Sequence, residues 1–109
     1  MRKTLFAALL LVAFNAHADE DNVLTWDDVN GEDLYHVEMS PFLCGDMATN
    51  FTEIATVIAD VLTYTDANVP SGESRCYRVA ASNIGGKSGY SNEAGKTVRP
   101  VTPGTLTVK

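Results

Sequence analysis

The chain has 109 residues, of which 14 are acidic and 8 are basic, so its formal net charge is −6. One small domain fits this length. The acidic balance argues against nucleic acids and anionic membrane surfaces as partners, because both are bound by clustered lysine and arginine side chains.

The N-terminal segment 1–18 has the three parts of a secretory signal peptide. Arg2 and Lys3 supply the positive start, Leu5–Phe14 supplies the apolar run, and Ala16–Ala18 supplies a small-x-small cleavage site. The run is too short for a membrane span; a buried N-terminal helix is the alternative. The sequence therefore predicts a secreted or periplasmic protein with no membrane insertion in its mature form.

Two cysteines, Cys44 and Cys76, follow the predicted signal peptide. An even count in an exported domain predicts one disulfide bond. The alternative, a metal site, lacks further ligands, because His36 is the one histidine after the predicted cleavage site and there is no C-x-x-C motif. We expect no cofactor and no metal.

Short alternating segments separated by turn residues follow the predicted cleavage site. Asn30-Gly31 marks the first turn, Pro41 ends the second strand, and Gly95 favours an edge position for the last one. No helical periodicity is found after residue 18, so the fold class predicted is an all-β sandwich. The predicted strands are Val23–Asp27, Leu34–Ser40, Phe51–Ile58, Val61–Asp66, Arg75–Ser82 and Tyr90–Val98.

Alternation within these strands predicts which side chains form the core. In the fifth strand Tyr77, Val79 and Ala81 face inward, whereas Cys76, Arg78 and Ala80 face the other way. Trp26 is the largest predicted core residue. The full predicted core consists of Leu24, Trp26, Tyr35, Val37, Tyr64, Tyr77 and Val79.

From Val23 to Val98 the chain resembles the fibronectin type III family. The resemblance is carried by Leu24–Trp26, by the segment around Tyr35 and, most specifically, by Tyr64–Asn92, in which a strand runs into an Asn, Gly and Ser-rich return. It implies an immunoglobulin-like sandwich of two antiparallel sheets over residues 19–98, with strands A-B-E packed against C′-C-F-G.

The resemblance also implies that Cys44 and Cys76 meet at one end of the sandwich. The family usually has a tyrosine that ties down the corner before strand F. By spacing from Tyr77 that place is Arg75 here, and we expect the disulfide to serve instead.

Strand A has no counterpart, whereas the Pro-rich linker and strand-like tail (99–109) resemble the start of another such domain. To fill its own A position, the tail must travel back about 23 Å. The linker Arg99–Gly104 reaches about 20 Å. One hypothesis is that Thr105–Val108 is donated to a neighbouring molecule, giving head-to-tail self-association. The alternatives are a disordered tail, an irregular strand on its own edge, or a fragment of a tandem protein.

For function, the resemblance implies a non-catalytic protein-interaction or scaffolding module with an unknown protein partner. Loops are the default binding surface, although the glycines here would equally serve the backbone turns alone. The candidate binding loop comprises Asn30, Gly31, Gly86, Lys87, Ser88 and Tyr90.

Two other functions are alternatives to this one. An accessory domain of carbohydrate-binding or polysaccharide-degrading systems would need exposed coplanar aromatic side chains. An enzyme is not expected, because the sequence has no nucleophile elbow, no phosphate loop and no carboxylate pair in a motif. The four carboxylates of Asp27–Asp33 are explained equally well by turn chemistry, so no metal site is predicted.

Overall fold

The computed structural model describes residues 19–109, so the predicted signal peptide lies outside the described residues. Within this range the chain forms only β-strands, which confirms the all-β prediction. No helix in this range is long and apolar enough to cross a membrane. The strands are β1 (Glu20–Thr25), β2 (Leu34–Ser40), β3 (Thr52–Ile58), β4 (Thr63–Val69), β5 (Ser74–Asn83), β6 (Gly86–Lys87) and β7 (Ala94–Thr97).

The strands form two antiparallel sheets. One sheet has two strands, β1 and β4, and the other has the order β3-β2-β5, with β6 and β7 both paired to the outer edge of β5. This is the predicted sandwich, in which the smaller sheet has one strand fewer than the resemblance implies.

The core lies between the sheets. Val37 pairs with Val79, and Met39 pairs with Tyr77, so these side chains share one face of the larger sheet. That face is turned toward the smaller sheet, because the Tyr77 hydroxyl accepts a hydrogen bond from Asn22 Nδ2 at 2.8 Å and donates one to Asp66 at 2.6 Å. The predicted orientation of β5 agrees with this register.

The predicted core is unevenly buried. Tyr35, Val37 and Tyr77 are buried, as are Val69 and Val98 at one end of the sandwich. The other predicted core residues are only half-buried, because the two sheets leave part of each other's inner face uncovered. These residues are Leu24, Trp26, Tyr64 and Val79.

Three predicted strands have wrong bounds. β1 begins at Glu20 rather than at Val23 and ends at Thr25 rather than at Asp27. β4 continues to Val69, past the predicted corner, because a bulge with Asn68 at φ 58° lets the strand keep its pairing with Glu20. The predicted last strand, Tyr90–Val98, is reduced to β7, and the short strand β6 lies before it, where no strand was predicted.

The predicted disulfide is present and joins the β2–β3 connection to the start of β5. The Cα atoms of Cys44 and Cys76 lie 5.0 Å apart. Arg75, at the place of the family's corner tyrosine, donates hydrogen bonds to Asp66 at 2.9 Å and Glu73 at 2.8 Å. A guanidinium group and a disulfide therefore both hold this end of β5.

Candidate functional site

The outer edge of β1 is the first feature of the candidate site. The Trp26 N–H, just after β1, donates to the Leu62 carbonyl oxygen at 3.1 Å, on the β4 side. Backbone groups of successive residues in a strand point to alternate sides, so the N–H and C=O groups of Val23 and Thr25 point away from β4. In the range 19–109 no strand pairs with that edge. These groups are available to an added strand.

A cleft of about 1220 Å³ lies between this edge and the β5–β7 side of the larger sheet. Its lining includes inward-facing core residues from both sheets, namely Leu24, Trp26, Tyr35, Val79 and Ala81. All of these except Tyr35 are half-buried. The cleft therefore includes a section of the core that is not covered by the smaller sheet, and it continues past the edge of β5 to outer-face residues such as Arg78 and Ser82.

The predicted binding loop lies along this cleft. Each of its six members, Asn30, Gly31, Gly86, Lys87, Ser88 and Tyr90, contributes to the lining. The β1–β2 turn and the β5–β6 turn meet there, because Asn83 Nδ2 donates to the Gly31 carbonyl oxygen at 2.9 Å. The structure thus brings together residues that are up to 60 positions apart in the chain, although several have structural roles of their own.

Ser88 has such a structural role. Its N–H donates to the Ala81 carbonyl oxygen at 2.7 Å, and its Oγ accepts from the Ala81 N–H at 2.9 Å. Ser91 makes the same pair of bonds with Val79, at 2.8 and 2.9 Å. Between β6 and β7, where no strand pairs with β5, the two serines thus satisfy the N–H and C=O groups of Ala81 and Val79. The segment therefore needs no regular strand pairing there.

Lys87 and Tyr90 belong to a cluster on the outer face of the larger sheet. Both donate hydrogen bonds to Glu38 Oε2, at 3.2 and 3.1 Å, while Arg78 Nε donates to Glu38 Oε1 at 2.8 Å. The Arg78 guanidinium lies between the rings of Tyr90 and Phe51, 3.6 and 4.1 Å from their centroids. Burial alone would raise the pKa of Glu38, but these hydrogen bonds outweigh it and hold the pKa below its ordinary value.

The acidic turn after β1, residues 27–33, makes hydrogen bonds that stabilise one end of the sandwich. The Tyr35 hydroxyl donates to Asp28 at 2.7 Å, and Asp28, Glu32 and Asp60 place carboxylate oxygens within 4.8 Å of one another. Burial, followed by the bond to Asp28, raises the pKa of Tyr35 to about 12. The Glu32 carboxylate also accepts from the Asp60 N–H at 3.3 Å, so the cluster links the β1–β2 and β3–β4 turns.

A hydrogen-bonded row of side chains across β3, β2 and β5 has no signal in the sequence. His36 Nε2 lies 2.7 Å from Ser82 Oγ, and His36 Nδ1 lies 2.8 Å from Glu53 Oε1. These distances match those of a Ser-His-acid triad. The partners of His36 lie on the two neighbouring strands, so they can be identified only once the strand register is known.

Comparisons with known proteins bear on the fold. No protein-family model matches the chain, and no curated protein matches it. Among solved structures, the chain is similar to the twitchin kinase region from C. elegans (Fn31-NL-kin-CRD-Ig26), with a TM-score of 0.60 and 20% identity. The similarity covers 74% of this chain and 14% of that one.

This likeness supports an immunoglobulin/fibronectin-like fold, in agreement with the two antiparallel sheets described above. The disulfide between Cys44 and Cys76 indicates an oxidising location, outside the cell or in a periplasm.

Proposed function

We propose that this chain is a secreted or periplasmic, non-catalytic interaction module of the fibronectin type III kind. It binds an extended segment of a protein partner along the outer edge of β1, and the side chains of that segment enter the cleft. The observation that carries the proposal is the coincidence of a free strand edge with an uncovered section of core. An exposed edge is a ready template for strand addition.

The chemistry of the cleft suits a peptide strand. Val23 and Thr25 offer main-chain groups that give affinity, and Leu24, Trp26 and Val79 offer apolar surface that selects alternate side chains. A strand added here would convert the two-stranded sheet into the three-stranded sheet that the resemblance implies. The partner would thereby complete the fold as well as bind to it.

The row of Ser82, His36 and Glu53 does not alter the proposal. Acyl transfer also needs backbone donors aimed at the developing oxyanion and a pocket for the acyl group. The row lies on the outer face of β3-β2-β5; Ser82 borders the cleft, whereas His36 and Glu53 do not line it. We expect hydrolysis of 4-nitrophenyl acetate to be equally slow for the wild type and for Ser82→Ala; a rate that drops in the variant would contradict the non-catalytic assignment.

The carbohydrate-associated alternative is less well supported. Sugars stack on open aromatic ring faces, but Tyr90 and Phe51 each turn a ring face to Arg78. Trp26 packs against Tyr35 with ring centroids 5.4 Å apart and is half-buried.

Hydrogen exchange tests the proposed binding edge. In the oxidised Asp19–Lys109 protein at low concentration, the amides of Val23 and Thr25 are expected to exchange fast, and that of Leu24, which faces β4, to exchange slowly. A synthetic peptide in which Val and Thr alternate over seven residues, flanked by Lys, should slow the exchange at Val23 and Thr25. The control is the same peptide with Pro at alternate positions. Equal protection by both peptides, or by neither, would contradict strand addition.

A further inference from the structure

The C-terminal tail of the chain lies off its own domain. Every residue from Arg99 to Lys109 is exposed, and none belongs to a strand. Leu106 and Val108 are 87% and 90% exposed. They are two positions apart, so in an extended conformation they share one face, with Thr105 and Thr107 on the other. The tail is thus a strand-like segment whose apolar face has no cover.

The tail and the cleft have matching features. A strand paired with β1 would place alternate side chains into the cleft, which is the spacing of Leu106 and Val108. The tail contains Arg99 and Lys109 and no acidic residue, whereas β1 begins with two acidic residues. All strand pairs in this sandwich are antiparallel, and antiparallel pairing sets the C-terminal end of the tail beside the start of β1. Lys109 would then lie near that acidic pair.

The tail leaves the domain at the wrong end to fill its own cleft in this orientation. The Val98 N–H donates to the Glu73 carbonyl oxygen at 3.0 Å, and the Val98 carbonyl oxygen accepts from the Gly72 N–H at 2.9 Å. Lys96 Nζ lies 3.1 Å from Glu20 Oε1, so this exit point is close to the start of β1.

To pair antiparallel with β1 of its own molecule, the tail would first have to return from the start of β1 to its end. This distance is the length of the six residues of β1, about 20 Å. The linker Arg99–Gly104 covers about the same distance only when fully extended, which leaves nothing for the turn. The tail of another molecule has no such path to follow.

We infer that the segment filling the cleft is Thr105–Val108 of a second copy of this chain, paired antiparallel with β1. The inference rests on the proposed function, since it names the partner of the same edge. Each molecule has one donor tail and one acceptor edge at different places, so the contact is heterologous and repeats head to tail.

Matched variants of the full Asp19–Lys109 protein test this inference. Leu106→Lys with Val108→Lys removes the apolar face of the tail, and Thr105→Lys with Thr107→Lys adds the same charge on the opposite face. Val23→Pro removes an N–H from the open edge of β1, a place where proline is tolerated in a strand. Light scattering over a micromolar to millimolar range measures self-association, and circular dichroism verifies that each variant is folded.

The wild type and the threonine variant are expected to associate as concentration rises. The Leu106/Val108 variant should associate at least about tenfold more weakly, because charges replace apolar side chains against the core. Val23→Pro should be equally defective. An equimolar mixture of these two defective variants should recover a two-chain complex, since one retains the acceptor edge and the other retains the donor tail.

A second readout covers the case in which Val23→Pro does not fold. In the wild type, the amides of Val23 and Thr25 should become protected as concentration rises, and in the Leu106/Val108 variant they should not. Three results would overturn the inference: a wild type that is monomeric throughout, association that persists in the Leu106/Val108 variant, or a monomer that this variant destabilises. The last result would mean that the tail folds back onto its own domain.

The alternating Val-Thr peptide separates failure of this inference from failure of the proposed function. If the wild type is monomeric but binds that peptide at Val23 and Thr25, the edge accepts a strand from another protein. If it neither associates nor binds the peptide, both the inference and the proposed function fall.

Discussion

On β5, two side chains that face away from the sandwich are more completely buried than two that face into it. Cys76 and Ala80, on the outer face, are 0% and 3% exposed, whereas Val79 and Ala81, on the inner face, are half-buried. The outer face carries the disulfide at one end and the Arg78 cluster farther along. The inner face is opposed by a two-stranded sheet that stops short of it.

The comparison shows that burial in this molecule follows the cover that neighbouring elements provide, and not the direction in which a side chain points. A side chain that faces inward but is not covered by a neighbouring element stays partly exposed to water. In a domain of this size the hydrophobic core alone gives only a small free energy of unfolding, so a covalent cross-link such as a disulfide adds a large share of it. An uncovered section of the core lowers the free energy of unfolding by a comparable share.

Removing the disulfide should produce the largest effect, because it takes away the staple at one end of the outer face. Cys44→Ala with Cys76→Ala should lower the free energy of unfolding by about 3–4 kcal/mol, the chain-entropy value for a 32-residue separation. Urea unfolding of the oxidised protein measures this loss. The wild type unfolded under reducing conditions is the control and should show a similar loss; a loss below about 1 kcal/mol would mean that packing alone holds the outer face.

A pair of valines tests the inner face. Val37 and Val79 are register partners on the same face, but Val37 is 0% exposed and Val79 is half-buried beside the cleft. Val37→Ala should cost about 2 kcal/mol, and Val79→Ala about half as much, because less apolar surface is removed from water at the second site. Urea unfolding at low protein concentration measures both losses.

Equal losses from the two substitutions would contradict an open cleft in the free protein. If a strand fills the cleft, the cost of Val79→Ala should rise toward that of Val37→Ala when the alternating peptide is added, while the cost of Val37→Ala should hardly change.

The elements that sequence could predict are those determined by local patterns. β2 has the predicted bounds because its alternation is regular and Pro41 follows it. β4 was predicted too short because the bulge that extends it depends on Asn68 facing Asp21, whose side chain accepts from the Asn68 N–H at 3.0 Å. Contacts between distant residues of this kind leave no local signal.

The candidate site was predictable in part for the same reason. Gly and Asn at turns indicated the loops that border the cleft, and the lack of a strand-like pattern between the predicted cleavage site and β1 indicated an open edge. The structural roles of Ser88 and Ser91 could not be predicted, because both serines bond to β5 with main chain and side chain, and alternation does not reveal such contacts. The cleft itself depends on how far the smaller sheet extends over the larger one, which only the tertiary structure defines.

The smallest expected effect concerns Glu38, which lies under the outer cluster. Because its hydrogen bonds hold its pKa below the ordinary value of 4.5, the ionised form contributes stability above that pH. That contribution is lost as pH falls through the lower folded-state pKa. Glu38→Gln should therefore cost about 1 kcal/mol at pH 6 and progressively less at acid pH, so the urea-unfolding curves of variant and wild type converge.

Asp19→Asn is the matched control, because it removes one exposed carboxylate outside every strand. It should change the free energy of unfolding by the same small amount, within about 0.5 kcal/mol, at pH 6 and at acid pH. A Glu38→Gln cost that is constant from pH 6 to acid pH would mean that the carboxylate charge does not hold Arg78, Lys87 and Tyr90 together. The cover of the outer face would then come from stacking of the Tyr90 and Phe51 rings on Arg78 alone.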